Sequence, residues 1–221
     1  MIDVAFIKSV LPQLLQASLV TLQIALCSSL IGFIGGTALG VIQSGTSSLL
    51  RGLVTLYVTI IRGTPMLLQI TFFFLMLPHI GITISPLYTA ILAIGLNSSA
   101  YISQIVRSGI ASVSQGQIEA AKTLGLSRYL TIRYIILPQA LRIVVPALGN
   151  ELITLIKDSS LASAIGVLEL FKRGDIIISQ VFNALGVYTL VGLMYLAITS
   201  LVSLMIIKIE HFYRERHVRN Q

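Results

Sequence analysis

Residues 9–50 read SVLPQLLQASLVTLQIALCSSLIGFIGGTALGVIQSGTSSLL and contain no Asp, Glu, Lys or Arg. Two further charge-free stretches follow at 63–106 and 176–207. Each exceeds the roughly 20 apolar residues that a helix needs to cross the hydrocarbon core of a bilayer, where a single charge costs about 2.5 to 3.5 kcal/mol. The three stretches therefore predict an integral membrane protein made of helices.

The composition agrees with this class of protein. Of 221 residues, 55% are hydrophobic and 10% are charged, against roughly 25% charged in soluble domains. The net charge of +7 does not indicate nucleic acid as a partner, because such a surface needs its charges clustered on a water-soluble fold. The lone Cys27 and three histidines exclude an internal disulfide framework and argue against a haem or zinc centre.

The charges also divide the chain into an all-α domain with five spans. Pro78 to Gly81, followed by Ser85 and Pro86, predict a turn that splits the second charge-free stretch. The fourth apolar segment is interrupted by Glu151, Lys157 and Asp158. We place the spans at about 14–42, 50–77, 85–107, 141–165 and 184–209, within one transmembrane domain of residues 1–221.

The distribution of Lys and Arg predicts the orientation. If the N-terminus lies outside, eleven Lys and Arg lie inside, three lie outside and Lys157 stays within a span. Cytoplasmic loops carry an excess of Lys and Arg. We therefore expect an external N-terminus, a cytoplasmic C-terminus and a cytoplasmic loop at about 108–140. The basic tail from Lys208, with Arg214, Arg216 and Arg219, is interpreted as a topogenic anchor.

The loop at 108–140 is much longer than the usual connection of 2 to 8 residues between helices. Residues 119–124 are mostly helix formers, Gly125 suits the left-handed end of a helix, and Ser127 suits the start of the next. We predict a short helix, a turn and a second helix. On amphipathicity alone, this element could simply lie on the membrane or on its own protein.

The spacing within the loop favours a more specific interpretation. Glu119-Ala120-Ala121 is followed after three residues by Gly125, and after nine more by Ile135-x-Leu137-Pro138. This pattern resembles the EAA loop of permease subunits of ATP-binding-cassette (ABC) importers. Nearly the whole chain is similar to the polar amino acid branch of that family, which includes histidine, arginine and glutamine permeases. The similar segments are 62–65, 96–97, 100–101, 116–117, 157–161 and 165–167. Gln104 departs from the Glu of many relatives, and we assign it no role.

The resemblance implies a type I importer permease with a cytoplasmic coupling helix, in a bacterial inner membrane. Glu119, Ala120, Ala121 and Gly125 would then contact an ATPase. The implied partners are a second permease copy or a sister permease, two cytoplasmic ATP-binding subunits and an extracytoplasmic substrate-binding protein. The sequence has no G-x-x-x-x-G-K-[ST] loop. ATP and magnesium would therefore bind the partner, and this chain would be a transport subunit without enzyme activity or cofactor.

Ionisable residues inside a span are candidate functional sites, because they are kept despite a desolvation cost. Glu151 and Asp158 are seven residues apart, which places them about 20° apart on one helix face and about 10 Å apart along its axis. Asn97 and Ser98 could line the opposite wall of a cavity for a small zwitterion. Two carboxylates favour a cationic amino acid, although other polar amino acids remain open.

Alternative roles remain for several of these residues. Asp158 could cap the helix that follows it, and Asn97 could join two helices as a packing residue. Arg62 could gate the inner mouth or anchor a span at the interface. The charges Glu169, Lys172, Arg173 and Asp175 are expected in an external, solvated loop, with contact to the binding protein as the alternative. The competing functions are a stand-alone secondary transporter or channel for a polar or cationic solute, and an intramembrane enzyme, for which no nucleophile with a base is evident.

Overall fold

The protein is described by a computed structural model that covers residues 4–45 and 47–218. Within these residues it contains helices and no strand. Arg219, assigned to the basic tail above, lies outside the described residues. The helices are α1 (Val4–Gln43), α2 (Ser48–Gly63), α3 (Met66–His79), α4 (Pro86–Ala111), α5 (Gln115–Thr123), α6 (Arg128–Thr131), a π-helical turn (Ile132–Ile136), α7 (Leu137–Asp158), a 3-10 helix (Ser159–Ile165), α8 (Leu170–Val181) and α9 (Ala184–Val218).

Four helical stretches of the described chain are long and apolar enough to cross a membrane. A bent pair, α2 with α3, makes a fifth if it counts as one span. The predicted all-helical membrane fold is therefore confirmed. The four stretches are Phe6–Gln43, Pro86–Ala111, Arg128–Ile165 and Ala184–Ile209.

The region 50–77, expected to form one span, differs from a straight helix. Helices α2 and α3 meet at an angle of 106°, with Thr64 and Pro65 in extended backbone between them. Proline has no backbone N–H and its ring clashes with the preceding turn, so a helix bends or ends there. Backbone carbonyls at the bend lose their helical hydrogen-bond partners, and the Gln69 side chain replaces them. Its Nε2 atom donates to Ile61 O at 2.7 Å and to Thr64 O at 3.2 Å.

The centre of the bundle is α4, which packs along α1 and also contacts α7 and α3. Glycines of α1 make the close approach to α4 possible. A Cβ on Gly36 would lie 2.6 Å from Ile102 Cβ and 2.8 Å from Ser99 O. The main core combines Ile24 of α1 and Ile94 of α4 with Leu155 and Ile156 of α7. Helix α7 is thus held by its apolar face, and its other face is left for polar residues.

We expect Gly36→Ala to destabilise the bundle by about 1 to 3 kcal/mol, because an added methyl would overpack the α1–α4 contact. The matched control is Gly52→Ala in α2, where a Cβ would meet nothing within 4 Å and alanine favours the helix. The measurement is the thermal unfolding midpoint of each purified variant in detergent. A midpoint for Gly36→Ala equal to that of Gly52→Ala would contradict the packing of these two helices.

Candidate functional site

One face of α7 carries a row of polar side chains through an otherwise apolar helix. Asn150, Thr154 and Lys157 are exposed, and Glu151 and Asp158 are half-buried. Spacings of three, four and seven residues bring these side chains onto one face. Ile156 on the opposite face and Leu155 at the edge of the polar row are almost completely buried. The predicted pair of carboxylates therefore shares a face that the rest of the described chain leaves partly open.

Glu151 is connected to α4 by a hydrogen bond from another predicted site residue. Ser98 Oγ donates to Glu151 Oε1 at 2.8 Å, and Ser98 is completely buried. A Cβ on Gly32 of α1 would lie 2.7 Å from Ser98 Oγ, so this glycine makes room for the hydroxyl. The serine fixes one oxygen of the carboxylate, and no hydrogen bond from the described residues reaches the other.

Asp158 ends α7 and precedes the 3-10 helix Ser159–Ile165. Its side chain makes no capping hydrogen bond to the described backbone. The neighbouring Ser159 and Ser160 hydroxyls instead donate back to Ile156 O at 2.8 Å and Lys157 O at 2.7 Å. The Asp158 carboxylate therefore does not cap the 3-10 helix, and it lies half-buried on the same face of α7 as Glu151.

Asn97 lies next to Ser98 but contacts a different helix. It is buried, and its Nδ2 atom donates to Gln69 Oε1 at 2.9 Å. Since Gln69 also holds the α2–α3 bend, Asn97 belongs to the polar network at that bend, while Ser98 belongs with Glu151. The structure thus brings together Ser98 and Glu151, and joins Asn97 to a residue that the sequence analysis missed. The only sequence signal for Gln69 is an amide four residues after Pro65 in an apolar stretch.

The predicted helix–turn–helix of the long loop is present. Ser114 caps α5 by accepting from Gln117 N, Gly125 has φ of +73°, and Ser127 caps α6 by accepting from Leu130 N. Glu119 and Ala120 are exposed, whereas Ala121 is 1% exposed. Of the two alanines, only Ala120 is on a free surface, and Ala121 packs within its own chain.

Arg62 stands at the end of α2, just before the bend. Its guanidinium lies over the ring of Tyr101 in α4, 5.0 Å from the ring centroid. A cation–π contact of this kind stabilises by about 0.5 to 1 kcal/mol at an exposed site. Arg62 is therefore held against α4, next to the bend between α2 and α3.

The charges from Glu169 to Asp175, which were expected in a solvated loop, lie instead at the start of a helix, and for Glu169 that expectation is wrong. Helix α8 begins at Leu170, and Glu169 is its completely buried N-cap. The carboxylate accepts from Phe171 N at 2.8 Å, Lys172 N at 2.7 Å and Tyr195 Oη at 2.9 Å. Burial raises the pKa of Glu169, and these donors lower it in part. Its role is to fix the start of α8 against α9.

Metal binding has no support in the described residues, since they contain no group of three or more His, Cys, Asp and Glu side chains placed to hold an ion. Cys27 is a free, exposed thiol. The chemistry of the site is therefore that of two carboxylates, amides and hydroxyls on the facing sides of α7 and α4.

A helical membrane domain with a polar face inside its spans and a helix–turn–helix on its surface has the construction of a transport permease. The family described as "Binding-protein-dependent transport system inner membrane component" matches residues 36–214, and the chain belongs to this family. This match, with the amino acid permeases and the amino acid transporter structure described next, confirms the resemblance to permeases of amino acid importers.

Individual relatives extend over almost the whole chain. The nopaline transport permease NocM of Agrobacterium fabrum is 37% identical, over 98% of this chain and 94% of its own. The glutamine transport permease GlnP of Escherichia coli K12 is 38% identical, over 94% and 96%.

Solved structures agree with the fold. An amino acid ABC transporter crystallised with histidines has a TM-score of 0.89 at 30% identity, covering 96% of this chain and 99% of its own. The methionine ABC transporter MetNI, in an inward-facing conformation, has a TM-score of 0.78 at 23% identity, over 91% and 96%. At that identity the second likeness concerns the fold alone.

Proposed function

We propose that this chain is the membrane-spanning permease of an ATP-driven amino acid importer, and that cationic amino acids are its preferred cargo. The observation that supports this most is the Ser98–Glu151 hydrogen bond, which presents a carboxylate on a polar face within the spans. The relatives that transport glutamine and nopaline support an amino acid or a derivative as cargo.

The charge on α7 favours a cation over a neutral amino acid. When both carboxylates are ionised, Glu151 and Asp158 carry two negative charges against the single positive charge of Lys157, so the face has a net negative charge. A guanidinium can bind a carboxylate with two parallel hydrogen bonds, which a neutral amide does not match in strength. Glu151, Asp158 and Ser98 are the proposed substrate-binding residues. Asn97 contributes by supporting the wall through Gln69, and Arg62 is the proposed gate.

The energy source is proposed to lie in other chains. Glu119, Ala120 and Gly125 present an exposed surface at α5, suited to a cytoplasmic ATPase that binds ATP and magnesium. The complete importer would contain two such ATPase subunits and an extracytoplasmic binding protein. It would also contain a second permease, which is either another copy of this chain or a sister permease. Residues 1–221 would form one permease domain in it.

The experiment that tests this function is uptake into proteoliposomes that contain the permease, its ATPase and its binding protein. We expect labelled arginine to accumulate when ATP is enclosed on the ATPase side, and not when a proton or sodium gradient replaces ATP. Accumulation driven by an ion gradient without ATP would instead support the stand-alone secondary transporter.

The orientation has its own test, because an ATPase can contact α5 only from the cytoplasm. In a Cys27→Ser background, we expect Ser85→Cys to react with an impermeant thiol reagent from outside intact cells and Gln115→Cys to react only after lysis. Both positions are exposed, and Gln115 spares the capping Ser114. The opposite labelling pattern would place α5 outside and would contradict the proposed contact.

A further inference from the structure

The connection between α6 and α7 contains a widened helical turn with an identifiable cause. Residues Ile132–Ile136 form a π-helical turn in which Leu137 N donates to Ile132 O, five residues back. Pro138 follows at the second position of α7 and has no N–H to offer to the carbonyl of Tyr134. Single π-helical turns are rare and often occur at functional sites. This turn stands between α5 and α7, the helix that carries Glu151.

Gln139 joins this turn to α5. Its Nε2 atom donates to Ile135 O at 2.9 Å and to Gln117 Oε1 at 2.9 Å. Both hydrogens of the amide are thereby used, one within the turn and one on the loop helix. Gln139 is half-buried and Gln117 is exposed, so the hydrogen bond bridges from the membrane domain to its surface element.

Few other contacts tie α5 to the spans. Ala121 is the buried residue of α5, and α5 packs chiefly on the short α6. Gln117 is also positioned at its backbone, since its N–H is bonded to Ser114 Oγ at 3.4 Å. A displacement of α5 would therefore reach the base of α7 through Gln117 and Gln139.

We infer that Gln139 is a positioning residue for energy coupling, which passes the movement of α5 through its hydrogen bond with Gln117 to α7. The inference rests on the proposed function, in which α5 contacts an ATPase. Helix α7 runs unbroken from Leu137 to Asp158, and Glu151 lies twelve residues beyond Gln139, about 18 Å along the axis. Pro146 removes one backbone hydrogen bond within α7, but the helix continues through it to Asp158. A shift of its base is therefore expected to move the carboxylate as well.

The test measures amino acid imported per ATP hydrolysed in proteoliposomes, a ratio that does not depend on the amount of correctly folded complex. We expect Gln117→Leu and Gln139→Leu each to lower this ratio about two- to tenfold, the effect of losing one hydrogen bond. The double variant should lower the ratio no further than the more impaired of the two single variants, because both changes break the same contact. Gln117→Glu keeps the acceptor oxygen and should keep the ratio.

Gln180→Leu is the matched control. Gln180 is an exposed glutamine of α8, away from the surface of α5, and its replacement is expected to leave the ratio unchanged. An unchanged ratio in Gln139→Leu, or losses that multiply in the double variant, would overturn the inference. If Gln139→Leu does not assemble, Gln117→Leu decides the matter, because its side chain is on the surface. If the glutamine variants leave the ratio unchanged while Gly125→Val uncouples transport from ATP hydrolysis, the inference is wrong and the proposed function stands. If Gly125→Val also leaves transport coupled to ATP hydrolysis, the result counts against the proposed function itself.

Discussion

Gly125→Val is expected to reduce ATP-driven uptake by about tenfold or more while leaving the membrane spans assembled. Gly125 has φ of +73°, a conformation that costs other residues about 1 to 2 kcal/mol and β-branched ones more. Its N–H donates to Lys122 O at 2.9 Å, and the next N–H, of Leu126, donates to Ala121 O at 3.0 Å. These two bonds end α5 in a Schellman motif. Valine would open this turn and shift Glu119 and Ala120 from the position in which we propose that they contact an ATPase.

The backbone conformation, and not crowding, is the cause of this effect, since a Cβ at Gly125 would meet nothing within 4 Å. Gly125→Asn is therefore an informative control, because asparagine tolerates the left-handed conformation and should retain most of the uptake. Uptake and ATP hydrolysis are measured in proteoliposomes at equal amounts of complex. Full uptake by Gly125→Val would show that this turn does not couple ATP hydrolysis to transport.

Glu151→Gln is expected to weaken arginine transport selectively. At an effective dielectric constant near 20, a charge pair at 4 Å gains about 4 kcal/mol, of which desolvation takes back a large part. Loss of the carboxylate should then cost arginine about 1 to 3 kcal/mol, or roughly 5- to 150-fold in affinity. The affinity for glutamine as a substrate should fall far less. The amide oxygen of the new side chain can still accept from Ser98 Oγ, so the packing between α4 and α7 is kept.

Two further variants separate charge from position. Ser98→Ala removes the 2.8 Å hydrogen bond to Glu151 but keeps the negative charge, so it should change the arginine-to-glutamine ratio less than Glu151→Gln does. Asp158→Asn should lower the ratio without altering the helix end, since its side chain caps no described backbone group. An unchanged ratio in Glu151→Gln would mean that Glu151 does not select charge, and the cargo would be polar amino acids in general.

The elements that could be predicted from the sequence depend on local rules. Long runs without charge favour membrane spans, and the spacing of Glu119, Gly125 and Ser127 predicts a helix, a left-handed turn and a new helix start. The structure has this turn, with Gly125 at positive φ. In such cases one residue or one run dictates the local conformation, whatever lies elsewhere in the chain.

The features that could not be predicted depend on distant partners. Ser98 and Glu151 are 53 residues apart, and Asn97 and Gln69 are 28 apart, so no local pattern indicates which amide or hydroxyl contacts which. The bend at Pro65 is different, because a proline within an apolar run is a local signal for a bend or a helix end. A division of the chain by its charges alone gives that signal no weight. Glu169 was expected in solvent because charges usually are, but its burial depends on Tyr195 from a later helix.

The position of a bound amino acid in the assembled importer is the most direct measurement of the central claim. In a structure determined with arginine present, we expect the guanidinium within about 4 Å of the Glu151 or Asp158 carboxylate, the range of an ion pair. Its density should lie between α4 and the polar face of α7, and should be lost in Glu151→Gln. Arginine bound elsewhere in the pathway, with this face empty, would contradict the proposed site.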